Sequence, residues 1–338
     1  MQAYQILPGE GIDGLQCVEF PDRELGTGEV RVRVHAVSLN YRDLMVAGGN
    51  YLVNVDDPII PCSDGAGEVL EVGAGVSRVQ VGDRVAASFF PYWQDGPTGP
   101  DKIRHALGGD IDGMLAEQVV LPEDALVKIP PGMSFVDAST MPCAGVTAWN
   151  AIFESSKDIR PGDTVLLLGT GGVSVLGLQL ATAAGLRTII TSSSDEKLQR
   201  ARELGAHHTI NYRSFPEWQE EVLRLTHGVG AHVVLEVGGQ GTVNRSVAST
   251  AMGGSVAIIG GVSGFGGEIN PATLLAVAKR MVGIFVGSRT MLEQVLRFAD
   301  TSALQPVVDR VFTFGQAKEA YRHMESGSHF GKVVIAVS

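Results

Sequence analysis

At 338 residues the chain is long for a single hydrophobic core, and two domains are the default expectation. Its 44% hydrophobic and 19% charged residues, with a mean hydropathy of +0.15, are those of a globular protein, and no apolar run approaches the ~20 residues needed to span a bilayer. A net charge of -11 without a basic run argues against nucleic acid or a membrane as partner and leaves a small-molecule substrate.

Cys17, Cys62 and Cys143 are too few and too scattered for a disulfide framework or a CxxC zinc knuckle. The N-terminus MQAYQILPGE lacks a signal-peptide layout, so a cytoplasmic protein is expected. Up to residue 143 the chain reads as short, often alternating strands between Gly, Pro and Asp turns: EVRVRVHAV (29–37), GAGEVLEVG (65–73), RVAAS (84–88) and AEQVVLP (116–122). This predicts an irregular, mostly antiparallel β domain. Residues 91–113 have little periodicity and much Gly, Pro and Asp, which predicts a long loop.

From Asp163 strand-like and helical runs alternate. TVLLL (164–168), RTIIT (187–191), HTIN (208–211), HVVLEV (232–237), SVAIIG (255–260) and VGIFV (282–286) are separated by helical segments such as 172–184 and 195–204. Apolar strands without alternation are covered on both faces, so a doubly wound, six-stranded parallel sheet is predicted over 144–287. The tail, 288–338, breaks the pattern and is expected to return to the first domain and close the cleft between the two.

In VLLLGTGGVSVLG, Gly169, Gly171 and Ser174 hold the three positions of G-x-G-x-x-G between a strand and a helix. Gly169 permits the tight turn, Gly171 the close approach of a pyrophosphate, and the N–H groups of Gly172, Val173 and Ser174 face its oxygens. The next strand ends in TSSSDEK, with Ser192 where an NAD enzyme would offer an acid. Hydroxyls of Ser192 and Ser193, the charge of Lys197 and Tyr212 suit a 2′-phosphate, so NADPH is the expected cofactor. Ser193 and Glu196 also have the spacing of a capping box.

In this order the domains resemble the medium-chain dehydrogenase/reductase superfamily, which includes zinc alcohol dehydrogenases and zinc-free quinone oxidoreductases. GAGEV (65–69), VGDRV (81–85), GTGGVS, RARELGAHHTINYR (200–213) and FGKVVI (330–335) carry the likeness along essentially the whole chain. It implies a GroES-like catalytic domain interrupted by a Rossmann domain, and a homodimer through the last strand of the nucleotide sheet. It further implies that Gly260, Gly261, Val262, Gly287, Ser288 and Arg289 line the nicotinamide end, with Lys332 of FGKVVI also on the cofactor.

Zinc relatives hold their ion with a Cys, the His of GHE and a Cys or His at the domain junction. Those positions read Asn40, Ser63 and Cys143 here, and 90–113 has none of the four cysteines of a structural zinc lobe. Amide and hydroxyl are poor zinc ligands, so no zinc is expected. Quinone oxidoreductases show N-x-x-D and a later Tyr, matched by Asn40, Asp43 and Tyr51, and zinc-free enoyl thioester reductases show GNY, matched by Gly49, Asn50 and Tyr51. The likeness implies Tyr51 as proton donor or enolate stabiliser and Asn40 as an orienting amide. Thr147, Tyr41, Tyr92 and Trp93 are candidates for the substrate and nicotinamide pocket, His105 is a lesser candidate acid, and Arg42 reads as a surface charge. Ala47 stands where quinone oxidoreductases commonly carry Arg.

The reading is an NADPH-dependent reductase of an activated C=C bond. An alcohol/carbonyl oxidoreductase, without zinc or with an atypical metal, and a non-catalytic, crystallin-like nucleotide binder remain as alternatives.

Overall fold

The computed structural model describes residues 1–51, 57–156 and 158–337, and the chain divides into two compact units, Met1–Val146 with Val286–Ser338, and Thr147–Phe285. No helix among the described residues is long and apolar enough to cross a membrane.

The first unit is built on the strand Glu29–Leu39. Val30, Val32 and Val34 alternate into the core, as a strand with one buried face requires. One edge pairs antiparallel with Asp64–Val72. The other pairs with Gln118–Pro122 along its first half and with the C-terminal strand Lys332–Ala336 along its second. The register Val333↔Leu39 sets Lys332 beside the end of Glu29–Leu39, where the chain turns into the helix Tyr41–Ala47. Arg84–Ala87, Leu126–Lys128 and Val308–Thr313 complete this sheet.

The second unit carries six parallel strands in the spatial order His208–Asn211, Arg187–Ser192, Thr164–Leu167, Ala231–Glu236, Thr250–Ile258, Arg280–Gly283. That is the Rossmann order, with a reversal between Thr164–Leu167 and Ala231–Glu236 where ligands bind in such sheets. Burial on both faces explains why TVLL shows no alternation: all four residues are buried. Helix and sheet approach closely at Gly177, where a Cβ would stand 3.0 Å from side-chain carbons of Leu167 and Leu235.

Candidate active site

The stretch 40–51 is a helix start folded over buried charge. Asn40 precedes the helix Tyr41–Ala47, and its backbone N–H donates to Asp43 Oδ2 at 2.8 Å, so Asp43 caps the helix. Arg42, expected at the surface, is only 8% exposed. Its guanidinium donates from Nη1 to the carbonyls of Leu107 (2.8 Å) and Gly108 (3.0 Å) and to Asp43 Oδ1 (3.3 Å). It also lies over two rings, 4.6 Å from the centroid of Tyr51 and 5.0 Å from that of Phe89. Arg42 is buried because its Nη1 ties the 107–108 backbone, and the two rings cover the guanidinium.

A second buried group gathers the positions that ligate zinc in metal-dependent relatives. Lys332 Nζ donates to Asn40 Oδ1 at 2.6 Å and to Leu39 O at 2.7 Å. Ser63 Oγ donates to Asp64 Oδ1 at 2.8 Å, and the backbone N–H of Cys143 donates to Asp64 Oδ2 at 3.1 Å. Burial pushes the Asp64 carboxyl up, against the pull of Lys332, Asn40 and Ser63, and it pushes the Cys143 thiol well above its ordinary value. Burial likewise lifts Asp43 to about 6, with Arg42 opposing. The donor set does not fit a zinc ion. One position is an amide oxygen held by an ammonium and one is a hydroxyl already donating, which leaves a single thiol, Cys143, as an ordinary zinc ligand. Among the described residues no group of three or more His, Cys, Asp or Glu is arranged to hold a metal.

Tyr51 is half-buried and its phenol is raised, chiefly by burial, while Arg42 pulls the other way; Cys143 and Asp43 act on it as well. Tyr51, Arg42, Asp43 and Cys143 therefore share one electrostatic neighbourhood. Cys62 stands at φ +70 and its Sγ lies 3.3 Å from the hydroxyl of Tyr321. A Cβ at Gly113 would fall 2.1 Å from the carbonyl of Cys62, so the turn 108–113 can close on that strained residue only with glycine there.

The segment 91–113 is a loop apart from one short helix, Pro100–Ile103, and Trp93, Lys102 and His105 are bonded within it. Trp93, expected to line a pocket, is buried, with its indole N–H on Gly96 O. His105 pairs with Asp110 at 2.8 Å and meets the Tyr92 ring edge-on, so both face their own loop. Tyr92 remains exposed, as does Tyr41 at 50%. Thr147 is buried in the short helix Val146–Trp149 of the other unit.

The predicted nucleotide residues of the second unit gather at the C-terminal ends of its strands. Gly169 turns at φ +74, and the helix Gly172–Ala183 starts without a side-chain cap. The first-turn N–H groups of Gly172, Val173 and Ser174 are thus left for a ligand. Ser174 is buried, and its hydroxyl donates to Leu168 O at 2.6 Å, fastening helix to strand where the fingerprint usually has glycine. Ser192 ends the strand Arg187–Ser192, and Tyr212 N–H donates to its carbonyl at 3.1 Å. The helix cap is Ser194, which accepts from Lys197 N–H, and not Ser193, which is half-buried. Gly260 and Val262 follow the turn held by Glu236, a buried carboxylate that accepts from Gly238 and Gly239 N–H and from the hydroxyls of Thr242 and Ser246.

Gly287, Ser288 and Arg289 belong to the first unit. Gly287 and Ser288 are buried, and Ser288 caps the helix Arg289–Thr301. The Arg289 guanidinium is engaged by Asp124 at 2.7 Å and Glu293 at 3.4 Å. Sequence reasoning missed Tyr321 and the use of Lys332 against Asn40. It also missed the positive φ of Cys62, whose one signal is that Cys62 takes the place of the glycine of GHE.

Two family models match the chain, an alcohol dehydrogenase GroES-like domain over residues 26–131 and a zinc-binding dehydrogenase over residues 172–301. A zinc-type alcohol dehydrogenase-like protein of Schizosaccharomyces pombe is 44% identical, covering 97% of this chain and 96% of its own. A quinone oxidoreductase of Pseudomonas aeruginosa is 30% identical, covering 96% of both. The crystal structure of an NAD-dependent alcohol dehydrogenase, 35% identical, superposes with a TM-score of 0.91 over the whole of each chain.

Proposed function

The chain belongs to the medium-chain dehydrogenase/reductase superfamily of oxidoreductases, and we propose that it is an NADPH-dependent, zinc-independent reductase of an activated C=C bond, such as an enone, quinone or enoyl compound. One observation carries this reading: the amide oxygen at the first zinc position, Asn40 Oδ1, is bonded to the Lys332 ammonium. An ammonium bonded to that oxygen would repel a divalent cation brought to the same oxygen. Alcohol–carbonyl interconversion needs a strong electrophile such as zinc to polarise oxygen. Conjugated C=C reduction needs less, since charge spreads to an enolate oxygen that hydrogen-bond donors stabilise.

Bound dihydronicotinamide supplies the hydride. The chain supplies the rest. The raised Tyr51 phenol keeps its proton at neutral pH, as a donor must, and Arg42 holds its ring in place. The Asn40 amide serves the enolate oxygen. The choice of NADPH is supported by Ser192 at the end of its strand, with Tyr212 beside it, Lys197 in the helix that follows and no acid at that point.

The test is a substrate screen on protein of measured metal content. NADPH consumption with enones or quinones but not aldehydes, on protein free of stoichiometric zinc, is the expected result. Stoichiometric zinc with aldehyde reduction would overturn the reading in favour of the alcohol/carbonyl alternative, which the names of the dehydrogenase relatives support. Tight NADPH binding without turnover on any class would favour a non-catalytic nucleotide binder. Equal affinity for NADH and NADPH would remove the argument from Ser192 and Lys197.

The working form proposed is a cytoplasmic homodimer joined through the edge strand Arg280–Gly283. The same unit exposes large apolar residues outside that strand, Phe265 (76%) and Leu275 (85%). Leu275→Asp with Phe265→Asp should shift the mass seen in light scattering from dimer to monomer; an unchanged mass would place the interface elsewhere.

A further inference from the structure

Glu236 ends the strand Ala231–Glu236, the first strand beyond the reversal in the second unit's sheet, and it is fully buried. Burying a carboxylate is costly unless donors surround it. Oε1 accepts from the backbone N–H groups of Gly238 (2.7 Å) and Gly239 (2.9 Å) and from the Thr242 hydroxyl (2.6 Å), and Oε2 accepts from the Ser246 hydroxyl. All four donors are neutral, and three of them lie in the turn 238–242. The carboxylate is devoted to fixing that turn.

With its N–H groups drawn inward, the turn offers its carbonyls to the neighbouring loop. Val262 N–H donates to Val237 O at 3.3 Å and Ser263 N–H to Gly238 O at 2.7 Å, while Gln240 N–H returns a bond to Gly264 O at 2.9 Å. The Ser263 hydroxyl also donates to Gly238 O and accepts from Gly241 N–H. Gly239 stands at φ +89, and a Cβ there would fall 2.3 Å from the carbonyl of Gly264, so this close approach requires glycine. The loops that follow Ala231–Glu236 and Thr250–Ile258 thus form one block tied to Glu236. Val262, within it, is left 60% exposed.

We propose that Glu236 is a positioning residue for the nicotinamide half of the cofactor, acting through these two loops. The inference rests on the chain binding a nicotinamide dinucleotide across the reversal of its sheet. In a sheet of this order each half of the dinucleotide lies outside the carboxyl ends of the strands on one side of the reversal. The turn Gly169 to Ser174 and the strand end at Ser192 belong to the other side and take the pyrophosphate and the adenosine end. The side that Glu236 organises is then left to the nicotinamide, with Val262 as an apolar surface for it.

The test compares, by titration calorimetry on the whole chain, the binding of NADPH with that of adenosine 2′,5′-bisphosphate, which lacks the nicotinamide half. Glu236→Ala should weaken NADPH about tenfold or more and change the bisphosphate by less than about twofold. Glu236→Gln should bring NADPH back to within about threefold of wild type, since its amide oxygen still accepts from the turn and its amide N–H donates to the Ser246 hydroxyl. Where wild type prefers NADH, the same comparison is read on NADH and ADP. If Glu236→Ala weakens both ligands by one factor, the carboxylate supports the unit as a whole, and the inference falls while the cofactor reading stands. Unchanged cofactor affinity overturns it as well. A wild type that binds no nicotinamide dinucleotide removes the cofactor reading and the inference with it. Should Glu236→Ala not fold, Ser263→Ala cuts the link between the loops at an exposed residue: a selective loss of cofactor affinity is expected, and an equal loss for both ligands, or none, overturns the inference.

Discussion

Tyr51→Phe is expected to leave NADPH affinity unchanged and to lower turnover of an enone or quinone by about 100-fold or more. The substitution removes one atom from a ring whose packing is otherwise kept. The Arg42 guanidinium, 4.6 Å above the ring centroid, keeps its cation–π contact with phenylalanine, so the fold around residues 42 and 51 should hold. What disappears is the proton, together with the hydrogen bond between the phenol and Arg42. Burial sets the phenol above its ordinary value, so wild-type Tyr51 enters each turnover protonated from acid to neutral pH and can give its proton to the carbon or oxygen left anionic by hydride addition. Steady-state kcat with a solvent isotope effect, alongside NADPH titration by fluorescence, reads both halves of the expectation. Turnover equal to wild type would make Tyr51 a wall residue and leave the enolate to Asn40 alone.

The fold was legible because its signals are local. Alternation in VRVRV announces a strand with one buried face, its absence in TVLLL announces one buried on both, and GTGGVS sits between a strand and a helix as the fingerprint demands. Local signals also blur at the ends of elements. Strand Thr250–Ile258 begins five residues before SVAIIG suggests, where its pairing with Ala231–Glu236 is irregular. The turn Gly169 to Ser174 was readable for the same reason, being one local run. The buried contacts of the first unit were not. Asn40 meets Lys332 across 292 positions and Cys62 meets Tyr321 across 259, and no periodicity links residues so far apart. Arg42 illustrates the error that follows: an arginine beside a turn reads as solvated until the carbonyls of Leu107 and Gly108 are seen to need its donors. The departures at Asn40 and Ser63 were visible in the sequence, while the lysine bonded to Asn40 had to come from the sheet register.

Arg42→Met should be the most destabilising single change in this region, by about 3–5 kcal/mol at pH 8, because it leaves the Asp43 carboxylate buried without its cation. Methionine fills much of the same space between Tyr51 and Phe89, so a cavity accounts for little of the loss. Two carbonyls, at Leu107 and Gly108, lose their donor as well. The deficit should depend on pH in a definite sense. Asp43 already titrates near 6 in the folded chain, above its ordinary 3.8, so the folded state holds this proton more tightly than the unfolded one. Its contribution to stability therefore declines as pH rises from about 4 to about 6. Removing Arg42 takes away the group that opposes the shift and moves the folded value higher still, extending the decline towards neutral pH. At pH 5 Asp43 is largely protonated with or without the arginine, and only the lost hydrogen bonds and ring contacts remain. Urea unfolding at pH 5 and pH 8 should thus show a gap between Arg42→Met and wild type that widens with pH. A gap of equal size at both would mean that Arg42 stabilises through the 107–108 carbonyls and the two rings, and that its charge on Asp43 counts for little.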